Sequence, residues 1–369
     1  MARAAKKRTV KKAAKRGAAK RRSAPRLAAK KKTSAPRGPK AKPFALDWHT
    51  HIFVPEAVAF NRDHMVVNGF RPAPQAAEGR NFTRGEMTWD LDPVKRTDTM
   101  DKMRVDMQLL SASLVHQCTY WADPEESLKY DRMSNERIAE LCQKYPSRFV
   151  GIATMPLQAP ELAAAELERA VKDLGLKGGN ISSHVNGTEL GLAGLDPLWA
   201  KAVELDVPIY IHPHGSASDR FQRFLFWNSV GQNLEETMAM LSLVHDGVMD
   251  AYPTLKIVFA HGGGFLPYAP GRVDRNTDNE RRGRLNGSKI QGQVSEYFER
   301  FYYDTCLYDP IMLNTLASRV GADRLIMGSD YPVGDLDPVG FVERERSIGD
   351  SMRKGILGGT ASKLLKIGA

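Results

Sequence analysis

The chain has 369 residues, 53 lysines and arginines against 43 aspartates and glutamates, a net charge of +10, and a mean hydropathy of −0.39. No apolar run approaches the roughly 20 residues of a membrane-spanning helix. Three cysteines at unpaired spacing (Cys118, Cys142, Cys306) argue against a disulfide framework and for a reduced, cytoplasmic setting.

Residues 1–43 are a different polymer from the rest. Lys/Arg runs such as Lys6-Lys7-Arg8 and Lys30-Lys31-Lys32 alternate with alanine, and no acidic residue interrupts them. Such a stretch buries too little apolar surface to fold alone, so a disordered tail is expected. The 18 basic residues through Lys42 exceed the net charge of +10, which leaves the body acidic at −8. The tail's expected partner is nucleic acid, bound non-specifically, or anionic lipid. Arg21-Arg22 is not followed by an apolar segment, so export is poorly supported.

The body, residues 44–369, reads as strands alternating with helices. An apolar run, Phe44-Ala45-Leu46, leads into Asp47-Trp48-His49-Thr50-His51. Strand alternation sends His49 and His51 to one face, where two imidazoles can hold one transition metal. Later apolar runs end in His212, in His261 before Gly262-Gly263-Gly264, and in Asp330. Helical periodicity is expected over 160–174, 197–205, 234–249 and 310–320. Strands are expected to begin near Phe44, Gln108, Arg148, Leu176, Val207, Leu255, Arg300 and Asp323.

Eight such units predict a (β/α)8 barrel, whose chemistry sits at the C-terminal ends of its strands. An open doubly wound sheet is the alternative. No Gly-x-Gly-x-x-Gly opens a helix after the first strand, so a dinucleotide has no support. In the barrel His49, His51, His212, His261 and Asp330 converge. Imidazole and carboxylate donors together suit Zn2+, with Mn2+, Fe2+ or Co2+ also compatible. His214 repeats the His-x-His spacing after His212 and could be a ligand or a pocket-lining group. His116 could touch substrate or pack; His64, His184 and His245 read as surface or packing residues.

These segments resemble the amidohydrolase superfamily, in its aminocarboxymuconate-semialdehyde decarboxylase-like branch. The matching text is Asp47-Trp48-His49-Thr50-His51, Ile211-His212-Pro213, Lys256 to Gly264 with Gly271-Arg272-Val273-Asp274, and Gly328-Ser329-Asp330-Tyr331-Pro332. The resemblance runs from about Ala45 to the C-terminus. It implies metal ligands at His49, His51, His212 and Asp330, and an acid/base at His261. It also implies carboxylate-binding arginines at Arg84 and Arg272, the latter lent across a homodimer. Such an enzyme would remove CO2 from an unsaturated or aromatic carboxylic acid, with metal-bound hydroxide adding to the carbon beside the departing carboxylate. The same hydroxide could instead hydrolyse an ester, lactone or amide.

Overall fold

The structure, a computed structural model, describes residues 42–65, 92–216, 218–221, 223–281 and 287–368. Arg84 and the basic tail before Lys42 lie outside them. The chain divides into two units, Met1–Lys42 and Pro43–Ala369, and the second is a barrel.

Its strands are β1 Leu46–Ile52, β2 Met107–Ala112, β3 Phe149–Gly151, β4 Gly179–Ile181, β5 Pro208–Ile211, β6 Lys256–Phe259, β7 Tyr302–Asp304 and β8 Leu325–Ile326. Each begins within three residues of its expected start. One parallel arc joins β1 to β3 and another joins β4 to β8. Parallel bridges Ala153–Gly179 and Thr50–Tyr331 join the arcs and close the ring.

Helices return the chain from each strand to the next. Asp-Pro pairs start several of them: Asp92, Asp123, Asp309 and Asp337 cap the backbone N–H groups of helices beginning at Pro93, Pro124, Pro310 and Pro338. The aspartate satisfies an orphan donor, and the proline supplies a helical φ where no N–H is needed. The expected helices appear as Pro160–Lys172, Asp196–Leu205, Asn233–His245 and Pro310–Val320. The third stops short of Met249 because Gly247, at φ 82°, breaks it.

Two apolar layers hold the barrel. Leu46, Trp48, Leu109, Val150, Ile152, Tyr210, Val258 and Ile326 fill the interior. The opposite strand faces, including Leu110, Ile209, Ile211, Ile257 and Phe259, pack outward against the helices. Ala361, Leu364 and Leu365 of the last helix join the interior cluster. Among the described residues, no helix is long and apolar enough to cross a membrane.

Candidate active site

The functional side chains sit where strands end, and β1 needs an irregularity to present its pair. Asp47 pairs with Gln108 but Thr50 pairs with Leu110, so three residues of β1 span two of β2. One extra residue re-aims a strand, a common device beside active sites. Leu46 and Trp48 therefore belong to the interior cluster, and His49 and His51 follow at the rim beside them. Gly328 makes room, since a Cβ there would lie 2.8 Å from His49 Cβ.

His49 Nε2, His51 Nε2 and Asp330 Oδ1 form a triangle with every side 3.2 Å. Ligands about 2.0–2.1 Å from a tetrahedral ion lie roughly 3.3 Å apart, so the triangle has the size of one face of a coordination sphere. The His212 ring is 4.7 Å from His51 and 4.9 Å from His49, centroid to centroid. His212 is buried, yet among the described residues neither of its ring nitrogens has a hydrogen-bond partner. A buried orphan of this kind costs about 1–3 kcal/mol. A cation removes the cost, because imidazole nitrogen is a transition-metal donor.

The partners of these groups complete the fit. Asp304 Oδ2 accepts from His49 Nδ1 at 2.6 Å, which leaves the Nε2 lone pair free. This is the carboxylate–histidine arrangement that orients a metal ligand. Tyr210 and the backbone N–H groups of Gly262 and Cys306 also donate to Asp304. Burial would raise the Asp330 pKa, but His49 and His51 outweigh it and hold the carboxyl well below its ordinary value.

His261 joins the cluster from the other side. Its Nδ1 donates to Glu236 Oε1 at 2.6 Å, and its Nε2 lies 4.0 Å from Asp330 Oδ2. Ligand atoms of His49, His212, His261 and Asp330 all lie within 4.8 Å of one another. His51 fits the ligand role better, because its Nε2 is 3.2 Å from both His49 and Asp330 whereas His261 faces only the far oxygen of Asp330. Burial pushes Glu236 up to about 7 against the pull of His261. Burial opposes a charged His261, yet Glu236 outweighs it and raises the histidine. The two titrate as a coupled pair.

His261 and Asp330 hold left-handed backbone, φ 45° and 61°. For non-glycine residues this costs on the order of 1–3 kcal/mol each and clusters at functional sites. Gly262, Gly263 and Gly264 also have positive φ and make the tight turn after β6.

The cluster opens into a cavity of about 1210 Å3. His51, His212 and Asp330 form part of its floor; Ser113, His116, Trp227, Asn228, Tyr308 and Arg344 are in its walls. His116 lies in the short helix Leu114–Gln117 after β2, hydrogen-bonded to Ser113, and burial pushes it down to about 3. His214 is not among the lining residues. Its Nδ1 lies 2.5 Å from Ser182 Oγ, its ring meets that of His184 edge-on, and burial pushes it down to about 3. The structure thus brings together His49, His51, His212, His261 and Asp330. Arg272 is exposed on the helix Gly271–Arg281 and does not line this cavity.

Glu236 and Asp304 were not expected from the sequence. Glu236 lies inside a helical run, where a glutamate reads as a solvated face. Asp304 does end the Tyr302–Asp304 strand, so the rule that found Asp330 could have found it.

A family model described as Amidohydrolase matches residues 46–367. The 2-amino-3-carboxymuconate-6-semialdehyde decarboxylase of Dictyostelium discoideum is 31% identical over 279 residues, 74% of this chain and 76% of that one. The gamma-resorcylate decarboxylase of Polaromonas sp. strain JS666 is 31% identical over 293 residues, 74% of this chain and 87% of that one. A crystal structure of the dihydroxybenzoic acid decarboxylase from Polaromonas sp. JS666, with bound manganese and the inhibitor 2-nitroresorcinol, superposes with a TM-score of 0.73. It is 26% identical and covers 88% of this chain and 97% of that one.

Proposed function

We propose a function from one premise: the chain belongs to the amidohydrolase family. It is a metal-dependent carboxy-lyase that removes CO2 from an unsaturated or aromatic carboxylic acid without an oxidant. The observation that carries the metal is the buried, partnerless His212 facing the triangle of His49, His51 and Asp330. The relatives named above favour decarboxylation over hydrolysis, since both are named decarboxylases.

His49, His51, His212 and Asp330 would hold one divalent cation. We favour Zn2+ on donor chemistry, with Mn2+, Fe2+ and Co2+ as alternatives. The ion would supply Lewis acidity toward the substrate's oxygens. The chain's own residues do the rest. When the bond to the carboxylate breaks, its electron pair stays on the substrate carbon, which must take up a proton. His261 Nε2 faces the site while Nδ1 is fixed on Glu236, so the pair can hold that proton and deliver it. Apolar wall residues Trp227, Leu336 and Phe341 would pack against a ring.

Arg84 and Arg272 would bind the carboxylate, Arg272 from the partner of a homodimer. Arginine suits that work because its planar fork is bidentate. Exposed apolar side chains near the segment leading to Arg272, namely Leu234, Met238 and Phe265, support a covered face there. The basic tail would act apart from catalysis as a non-specific nucleic-acid binder, and the enzyme would work in the cytoplasm. The test is CO2 release from a panel of aromatic and unsaturated acids by metal-loaded protein. Ring opening or ester cleavage without CO2 would replace this reading with hydrolysis.

A further inference from the structure

The seam where the barrel closes is poor in regular hydrogen bonding where the site needs accuracy. β8 is two residues long, and β1 carries its register shift at the same level. Asp330 lies beyond the end of β8 in left-handed backbone, so its neighbours must fix it. The residue before it, Ser329, is tied to Asp47: its N–H donates to Asp47 Oδ1 at 2.9 Å and its hydroxyl to Asp47 Oδ2 at 2.6 Å. The residue after it, Tyr331, donates its N–H to Ser329 Oγ at 3.1 Å and to the His49 carbonyl at 3.2 Å, and accepts from His51 N at 2.8 Å.

Asp47 is fully buried, and its second anchor leads to a buried cation. Gln108 donates from Nε2 to Asp47 Oδ2 at 3.2 Å and accepts at Oε1 from Arg96 Nε at 2.7 Å. Arg96 also donates to the His51 carbonyl at 3.0 Å and to Thr50 Oγ1 at 2.9 Å, and its guanidinium lies 4.5 Å over the Tyr331 ring. One continuous chain, Arg96–Gln108–Asp47–Ser329, therefore grips the backbone on both sides of Asp330 and the carbonyl of His51. Burying Asp47 and Arg96 takes two charged groups out of water at a cost that needs compensation.

We propose that Asp47, Ser329, Gln108 and Arg96 are positioning residues that set the spacing of Asp330 against His49 and His51, and hence the affinity for a divalent cation. The inference rests on the metal-site reading above. Groups that orient metal ligands typically change affinity by about 10–100-fold when removed.

The experiment is a titration of the chelator-stripped full chain with Mn2+, alongside the Tm of each metal-free protein. Ser329→Ala removes one hydroxyl, and Arg96→Lys keeps the charge but loses the fork. Thr154→Val serves as a control, because it removes a buried hydroxyl that donates to Asp131 Oδ1, after β3 on another part of the barrel. Ser329→Ala and Arg96→Lys are expected to weaken Mn2+ binding about 10–100-fold, whereas Thr154→Val lowers Tm without changing the affinity. Wild-type affinity in both seam variants, or affinity that merely tracks Tm across all three, would overturn the proposal. A wild-type chain that does not bind Mn2+ would overturn the metal reading and this inference with it, a result distinct from the other two.

Discussion

Two groups of histidines lie close together after β4 and β5, and they differ in their hydrogen bonds. In one, His212 is buried with both ring nitrogens unpartnered, facing His49, His51 and Asp330. In the other, two residues on, His214 is bonded to Ser182, and the neighbouring His184 accepts from Gly187 N and faces Glu235. Burial is similar for His212 and His214. The lesson is that clustered histidines do not by themselves make a metal site; buried lone pairs with nothing to bond do. An imidazole whose buried nitrogens have no partner recovers its desolvation cost from a cation, and among the described residues both nitrogens of His212 are in that state.

The sharpest way to break this contrast is at the orphaned cluster. Asp330→Ala or His49→Ala should lower the content of divalent ion from about one per chain and abolish turnover. Metal analysis of the purified variants reads the first effect. Full occupancy in a His49→Ala/His51→Ala double variant would end the reading.

His261 lies against the same cluster but has Glu236, so it should behave differently. His261→Ala is expected to keep its metal and lose about 100-fold or more in turnover, and Glu236→Gln to lose less. Turnover near that of the wild type in His261→Ala would reduce it to a structural role.

This division was only partly legible in the sequence. His49, His51, His212, His261 and Asp330 stood out because each ends an apolar run, and parallel strands buried on both faces read as such runs. What satisfies each of them was not legible. Glu236 comes from a helix 25 residues before His261, and Ser182 from the end of β4. Pairing across a barrel is a property of closure, which local periodicity does not encode. The register shift in β1 was hidden for the same reason: strict alternation puts His49 opposite Trp48, yet both lie beside Tyr210. Whether His214 is a ligand or a pocket-lining group stayed open in the sequence because spacing alone cannot tell a bonded nitrogen from a free one.

Arg272 tests whether the site is complete in one chain. Arg272→Ala should raise KM by about tenfold or more, on the order of one charged hydrogen bond. Mixing it with an Asp330→Ala chain should restore part of the activity after subunit exchange. No recovery despite exchange would place Arg272 outside the shared site.

The smallest effect belongs to His214, whose Nδ1 is bonded to Ser182. His214→Gln should keep metal content and change kcat/KM by no more than about threefold, within the range of ordinary conservative substitutions. Its signature is pH dependence. Burial lowers the folded-state pKa to about 3 from an ordinary value of 6.5, so between those values the unfolded chain binds the extra proton. Stability associated with His214 is therefore present above about pH 6.5 and lost as pH falls toward 3. The variant should show a shallower fall of Tm across that range. An unchanged slope would mean that His214 does not titrate as its surroundings imply.

The most direct test of the central claim is CO2 evolution from aromatic and unsaturated carboxylic acids by the full chain as purified, after chelation, and after return of Zn2+ or Mn2+. CO2 is expected to form in step with loss of the acid, to cease after chelation, and to return with the metal. Release that survives complete removal of the metal, or turnover in which every product keeps its carboxylate, would contradict that expectation.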